Sequence, residues 1–292
     1  MKIAVISGKG GSGKSSVTAA LIALSKRVVA IDCDVDASNL PLLFHPQPLE
    51  KEPFASGDAL EVNSSLCARC GVCVSLCAYG ALQIDASGAV QANDLLCEGC
   101  GLCGRHCPTG AITLTRVADS TITTSHFECG LMVHGVLSPG DDNSGKMIAR
   151  MRDIADALCR QHGVADQILD GPPGIGCPVL STVTGVDTVV IVTEPTRSGM
   201  SDLQRAARVA SSYCSDLRVV INKCDLNVVH AELLRQLCAE NGWPILAELP
   251  FDRRMVEAQL QCRPIVDYAP QSSCSLALRE AFRLLHRTSA GD

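Results

Sequence analysis

The segment Gly8-Lys9-Gly10-Gly11-Ser12-Gly13-Lys14-Ser15 fits the pattern G-x-x-x-x-G-K-[ST]. A loop of this kind binds phosphate. Its glycines let successive backbone N–H groups curl around phosphate oxygens, and the helix that follows adds positive potential from its N-terminus. Gly8, Lys9, Gly10, Gly11, Ser12, Gly13, Lys14, Ser15 and Ser16 are therefore the expected nucleotide-binding set. Lys14 should reach the β- and γ-phosphates, and the Ser15 hydroxyl should ligate Mg²⁺. Cysteine carries a second chemistry. Cys67, Cys70, Cys73 and Cys77 follow the spacing C-x2-C-x2-C-x3-C, and Cys97, Cys100, Cys103 and Cys107 repeat it, with Pro108 after the last. Structural zinc needs only four ligands, usually as two separated pairs. Two identical runs of thiolates ask for more metal than that.

The elements around these residues read as βαβ units. Residues 2–7 form an apolar strand that runs into the glycine loop, 14–26 a helix, and 27–32 a second buried strand ending in an acid. That grammar places helices over a parallel sheet. It breaks at residues 45–57, where Pro46, Pro48, Pro53 and Gly57 suggest a linker. It returns with a helix over 146–162, strands over 166–170 and 186–193, a helix over 200–212 and a strand over 217–222. Residues 67–84 and 97–114 share C-x-x-C-G-x-C-x-x-x-C-x-x-G-A-[LI], an internal repeat that predicts two half-modules related by pseudo-symmetry. The expected fold is an α/β domain, a mostly parallel sheet flanked by helices, built from residues 1–57 and 119–292. A small α+β module, residues 58–118, is inserted into it.

Composition narrows the partners. The chain has 292 residues, 47% hydrophobic and 19% charged, so it can bury a core. A net charge of −6 and aromatic content of 3% argue against a nucleic-acid surface. No apolar run approaches the roughly 20 residues that span a bilayer. The start, Met1-Lys2-Ile3-Ala4-Val5-Ile6, is not a signal peptide, so the expected location is cytoplasmic. Disulfides are rare there and clustered cysteines bind metal instead. Eight of the 17 cysteines lie between positions 67 and 107, which fits that reading.

The form K-G-G-x-G-K-S at Lys9–Ser15 resembles the deviant P-loop of the MinD/ParA ATPases, a group that includes Mrp-type proteins and the nitrogenase iron protein. The resemblance implies that Lys9 crosses a dimer interface to the partner's nucleotide. Asp32-Cys33-Asp34-Val35-Asp36 resembles the family's first switch, with Asp34 orienting the attacking water and Asp32 near Mg²⁺. Ile168-Leu169-Asp170-Gly171-Pro172-Pro173-Gly174 resembles its Walker B strand and second switch, with Asp170 acting through Mg²⁺-bound water. Asn222 matches the position that reads adenine, and Leu249-Pro250-Phe251-Asp252 matches the loop that borders the base.

The cysteine block resembles bacterial two-cluster ferredoxins, in which three close thiolates hold one [4Fe–4S] cluster and the fourth comes from the other half. By that resemblance Cys67, Cys70, Cys73 and Cys107 hold one cluster, and Cys77, Cys97, Cys100 and Cys103 the other. Ala78 stands where the family usually has proline after Cys77. His106 reads as a neighbour of the cluster or a surface residue. Cys177 lies beyond the second switch, where the nitrogenase iron protein has a ligand to a cluster shared across its dimer. Cys129 would be its companion; the plain reading makes both idle thiols. The C-terminal helix over 275–287 carries Arg279, Arg283 and Arg287 in a stripe and is expected to dock on the domain's own core.

Together with His134 and the polar stretch 138–146, in which Asn143 or Ser144 caps a helix, the chain resembles MinD-superfamily ATPases with an inserted ferredoxin domain. The resemblance implies ATP, Mg²⁺ and two [4Fe–4S] clusters, a homodimer or a heterodimer with a related ATPase, and a redox partner protein. ATP binding and hydrolysis would gate electron transfer or partner docking. Two other roles fit the same motifs: an ATP-dependent carrier for cluster assembly, and a positioning ATPase with a redox sensor. No C-x-x-C lies in the C-terminal half, where Mrp-type carriers have one.

Overall fold

The computed structural model describes residues 1–55, 57–93, 96–97, 99–117, 120–138 and 144–287. They form two compact units. The first comprises Met1–Glu52, Ile122–Val136 and Ser144–Asp292; the second comprises Pro53–Thr121 and Leu137–Asn143. The boundary expected at 118/119 and the cap expected at Asn143 lie outside the described residues.

The chain begins with β1 (Lys2–Ser7), α1 (Lys14–Leu24), β2 (Val28–Asp32), α2 (Leu40–Phe44) and β3 (Gln47–Phe54). The second unit contributes β4 (Gly57–Val62), α3 (Val72–Leu76), β5 (Leu82–Ile84), β6 (Val90–Ala92), α4 (Leu102–Arg105) and β7 (Ile112–Val117). There follow β8 (Ser120–Phe127), β9 (Gly130–Val136), α5 (Ser144–His162), β10 (Asp166–Pro173), α6 (Cys177–Val183), β11 (Thr188–Thr193), α7 (Arg197–Ala210) and β12 (Leu217–Asn222). The chain closes with α8 (Val228–Asn241), β13 (Ile245–Leu249), α9 (Arg253–Leu260), α10 (Ile265–Tyr268) and α11 (Ser273–Arg287).

Nine strands form one sheet in the order β13-β12-β11-β1-β10-β2-β9-β8-β3. From β13 to β9 every pairing is parallel. Val28–Asp32, Thr188–Thr193 and Leu217–Asn222 are buried at every position, as strands covered on both faces must be. α1 turns Val17, Ala20 and Leu21 into a core shared with Leu278, Ala281 and Leu285 of α11. The C-terminal helix thus docks on its own domain, as expected. No helix among the described residues is long and apolar enough to cross a membrane.

Residues 45–57 are not the linker their prolines suggested. β3 completes the sheet beside β8. Pro48 and Pro53 fit there because an outermost strand has a side with no ladder to lose. β8 and β9 also went unread in the sequence. They join through Glu128-Cys129 alone, a connection so short that the pair must run antiparallel.

The second unit is built crosswise. β4 pairs antiparallel with β7, and β5 with β6. The Asn63 N–H donates to Ala111 O at 2.8 Å, and thirty residues on the Asn93 N–H donates to Ala81 O, also at 2.8 Å. The lead-in to each half is therefore tied to the tail of the other. Gly71 and Gly101 adopt left-handed φ of 71° and 68° at matching positions of the repeat, just after a cysteine where a side chain would be strained. Leu60, Cys73, Leu82, Val90 and Ile112 form its small core.

Gly130 tests the sheet. Its φ is 143°, and a Cβ there would sit 2.1 Å from the Val28 carbonyl oxygen. Gly130→Ala should lower the unfolding free energy by about 3 kcal/mol in urea titrations. Gly163→Ala, at φ 61° with nothing within 4 Å, should cost only about 1–2 kcal/mol. Equal losses would contradict this packing.

Candidate functional site

Parallel strands end at one edge of a sheet, and that edge gathers the predicted residues. The loop after β1 and the ends of β2, β10, β11 and β12 all meet there. Asp32 stands directly opposite Asp170 on the neighbouring strand. A cleft of about 630 Å³ opens over this edge, the size of a small-molecule site. Its walls include Gly10 to Ser16, Asp34, Asn222, Pro250 and Asp252. Gly10 and Gly11 have nothing within 4 Å of where a Cβ would stand, so the inner face of the loop is open. The Ser12 hydroxyl is buried and has no hydrogen-bond partner among the described residues.

Lys14 is the centre of the charge arrangement. Its Nζ lies 2.9 Å from Asp170 Oδ1 and 3.5 Å from Asp34 Oδ2. Burial alone would push this ammonium down, but Asp170, Asp34 and Asp32 hold it above the usual lysine range. Asp170 also takes the Ser15 hydroxyl at 2.7 Å and the Thr18 hydroxyl at 2.7 Å. Thr18, one turn beyond the loop lysine, was not picked out in the sequence. Asp34 is pushed up by burial, against the pull of Lys14.

Asp32 organises the segment that follows it. Its Oδ2 accepts the Ser38 hydroxyl at 2.7 Å and the N–H groups of Asn39 and Leu40, each at 3.0 Å. Its Oδ1 accepts the Asp34 N–H at 3.2 Å. One carboxylate thus folds the whole first-switch segment and opens α2. Burial, with Asp170 nearby, pushes its carboxyl up to about 7. Directly beside Asp32 on β9 stands His134, whose buried Nδ1 has no partner among the described residues.

Asn222, Pro250 and Asp252 all line the other end of the cleft. Asn222 Nδ2 donates to the Ser12 carbonyl at 2.8 Å, and its Oδ1 accepts the Lys223 N–H at 2.9 Å. Its amide thus braces the phosphate loop from the far wall of the cleft. Asp252 caps α9 and is gripped by Arg254 at 2.9 and 2.8 Å. Apolar walls from Leu42, Leu43, Phe251, Met255 and Val256 complete the space. Of these, only Phe251 fell in a motif legible in the sequence.

Lys9 does not point away from its own chain. Its Nζ is 2.5 Å from Glu194 Oε1 and 3.2 Å from Ser198 Oγ. Glu194 immediately follows β11; that strand-end position was its only sequence signal.

Residues 3–265 match the family described as CbiA, the CobQ/CobB/MinD/ParA nucleotide binding domain. The chain belongs to this family. The uncharacterized protein MJ0578 of Methanocaldococcus jannaschii is 37% identical over 233 residues, covering 79% of this chain and 80% of its own. The uncharacterized ATP-binding protein MJ0685 of the same organism is 23% identical over 270 residues, 90% of each chain. Among solved structures, the cell division ATPase MinD of Pyrococcus furiosus matches with a TM-score of 0.59 at 18% identity, over 98% of each chain.

This MinD/ParA-family chain holds its clustered cysteines around two small cavities in the second unit. One is lined by Cys67, Cys70, Cys73 and Cys107; the other by Cys77, Cys97, Cys100 and Cys103. The fourth cysteine of each run sits in the turn that follows it. The Thr109 hydroxyl, with the N–H groups of Thr109, Ala111 and Ile112, holds Cys107 below the usual thiol range. Burial would push Cys77 up, but the N–H groups of Ala81, Tyr79, Gly80 and Leu82 bring it down. Among the described residues, no three His, Cys, Asp or Glu side chains converge as ligands of a single metal ion. His106 is exposed at the end of α4.

Cys129 and Cys177 are not companions. The Cys129 carbonyl accepts the Val28 N–H at 3.0 Å, at the starting edge of the sheet. Cys177 opens α6, just past the finishing end of β10. An eight-residue strand separates those two ends, roughly 25 Å, so the pair cannot share one cluster on a dimer axis.

The Asn222 tether gives a direct test. Asn222→Ala leaves the Ser12 carbonyl without its partner and should raise the Kd for ADP about tenfold in calorimetric titration. Unchanged affinity would show the tether to be idle.

Proposed function

We propose that the chain is a Mg²⁺-dependent ATPase in which ATP binding closes a dimer and hydrolysis reopens it. This cycle gates electron transfer, or docking of a redox partner, through two [4Fe–4S] clusters in the inserted module of residues 58–118. The partner in the dimer is a second copy or a related ATPase chain. The observation that carries the reading is the presence, in one chain, of two complete donor sets. One is the phosphate loop with Lys14 between Asp34 and Asp170. The other is the pair of cavities with four thiols each. The names of MJ0685 and of the Pyrococcus furiosus protein, ATP-binding and ATPase, support ATP as the nucleotide.

Each step falls to named groups. The loop N–H groups and Lys14 take the phosphate oxygens, with Lys14 exchanging its carboxylates for them. Ser15, Asp32 and Asp170 would hold Mg²⁺, which neutralises charge on the phosphates. Asp34 orients water, which attacks the γ-phosphorus; the bond to the bridging oxygen breaks, and ADP departs with that electron pair. Lys9 of the opposite chain stabilises charge as it develops. The chain's continuity supports the coupling. Asp32 opens α2, Leu42 and Leu43 of α2 line the nucleotide cleft, and β3 leads from there into the module.

Each cavity gathers four thiols, the number of thiolates a [4Fe–4S] cluster takes. The fourth thiol of each set rests among N–H groups that favour thiolate.

Asp34→Ala should retain ATP binding and lose at least about 100-fold in kcat, measured by phosphate release. Undiminished turnover would remove Asp34 from catalysis. Protein purified without oxygen should contain about eight iron atoms per chain, four per cluster. Cys107→Ser should perturb the EPR signal of the cluster bound by Cys67, Cys70 and Cys73. If it perturbed the Cys97 cluster instead, the crossed assignment would fail.

A further inference from the structure

We propose that Glu194 is a positioning residue that holds Lys9 in reserve on its own chain, so that dimer closure must first break this bond. The inference rests on the ATPase reading above, in which Lys9 serves the opposite nucleotide.

The geometry is specific. Lys9 Nζ approaches Glu194 Oε1 at 2.5 Å, while Glu194 Oε2 takes Lys223 Nζ at 3.1 Å. Lys223 Nζ also reaches the Gly11 carbonyl at 3.4 Å, so Glu194 is linked to the phosphate loop at two points. The carboxylate is mostly enclosed, at 15% side-chain exposure, whereas Lys9 is 32% exposed and can leave. Two oxygens facing two ammonium groups form a matched pair of charge-assisted bonds. Burial pushes Glu194 up, but its hydrogen bonds from Lys9 and Lys223 bring it below the usual carboxylate range.

Glu194 is also held rigidly. The Thr193 hydroxyl donates to Gly199 O at 2.9 Å, and the Gly199 N–H donates to Thr196 Oγ1 at 2.9 Å. A Cβ at Gly199 would stand 2.2 Å from the Glu194 carbonyl oxygen, so only glycine lets α7 close over this turn. The backbone that carries the carboxylate is thus fixed by the end of β11 and the start of α7. Lys9, on a flexible stem, is the partner that moves. When Lys9 departs, Lys223 remains to neutralise Glu194, so no enclosed charge is stranded. Such an arrangement permits reversible release.

The consequence for association is doubled by symmetry. Each dimer opens two such bonds. Weakening each by about threefold should strengthen dimerisation about tenfold.

The test is sedimentation of the full chain with a non-hydrolysable ATP analogue and Mg²⁺. Glu194→Gln should lower the dimer dissociation constant about tenfold, and Glu194→Asp should bring it back toward wild type. In a Lys9→Ala background, Glu194→Gln should have no effect on it. Lys223→Met should not reproduce the gain. Wild type and Glu194→Gln dimerising with equal constants would overturn the reserve role alone. Tightening that persists in the Lys9→Ala background would overturn it as well, since the effect would then not pass through Lys9. Wild type that stays monomeric with the analogue while binding it would overturn the dimer reading and, with it, the role of Glu194.

Discussion

A lysine ammonium buried at the finishing edge of a parallel sheet is the constraint around which the first unit is arranged. Lys14 is 7% exposed and its partner Asp170 is fully enclosed. A lone charge in that position would be severely destabilising. The fold resolves this by pairing Asp32, the last residue of β2, with Asp170 on the neighbouring β10. Thr18 and Ser15 then satisfy oxygens of Asp170 that Lys14 does not fully occupy. Every element that touches this edge inherits a charge to place.

In the proposed cycle the same edge would sense phosphate. Carboxylates now serve Lys14 as counter-ions, in the role phosphate oxygens would take over. In that cycle Asp34 and Asp170 would both give up Lys14, and Asp34 belongs to the segment that Asp32 folds. The Asp32 bonds to Ser38, Asn39 and Leu40 make that segment one body with α2. A change at Lys14 therefore has a short covalent route to β3, through residues that are themselves hydrogen-bonded to the sheet edge.

Much of this was legible in the sequence because it rests on local spacing. The phosphate loop, the strand-end acids Asp32 and Asp170 and the two cysteine runs each occupy a few neighbouring residues. The strands β1, β2 and β10 are mostly buried and read as apolar runs. What escaped was set by partners far along the chain. β3 carries charges and prolines and becomes a strand only because β8 lies beside it. The bond from the Asn222 amide to the Ser12 carbonyl spans 210 residues, beyond any local pattern. Cys129 and Cys177 looked alike as lone thiols until the direction of β10 put them at opposite edges. Glu194 had no motif at all; Lys9, far upstream, gives it meaning.

The crosswise build of the second unit has a consequence for its history. Neither half owns a complete set of thiols: Cys107 completes the cavity of the first run and Cys77 that of the second. A single half, before any duplication of the repeat, could have made such a site only by pairing with another copy of itself. The present chain has that pairing fused into one polypeptide. Its two halves can now diverge, as Ala78 and Pro108 already have, yet neither can be discarded without dismantling both sites.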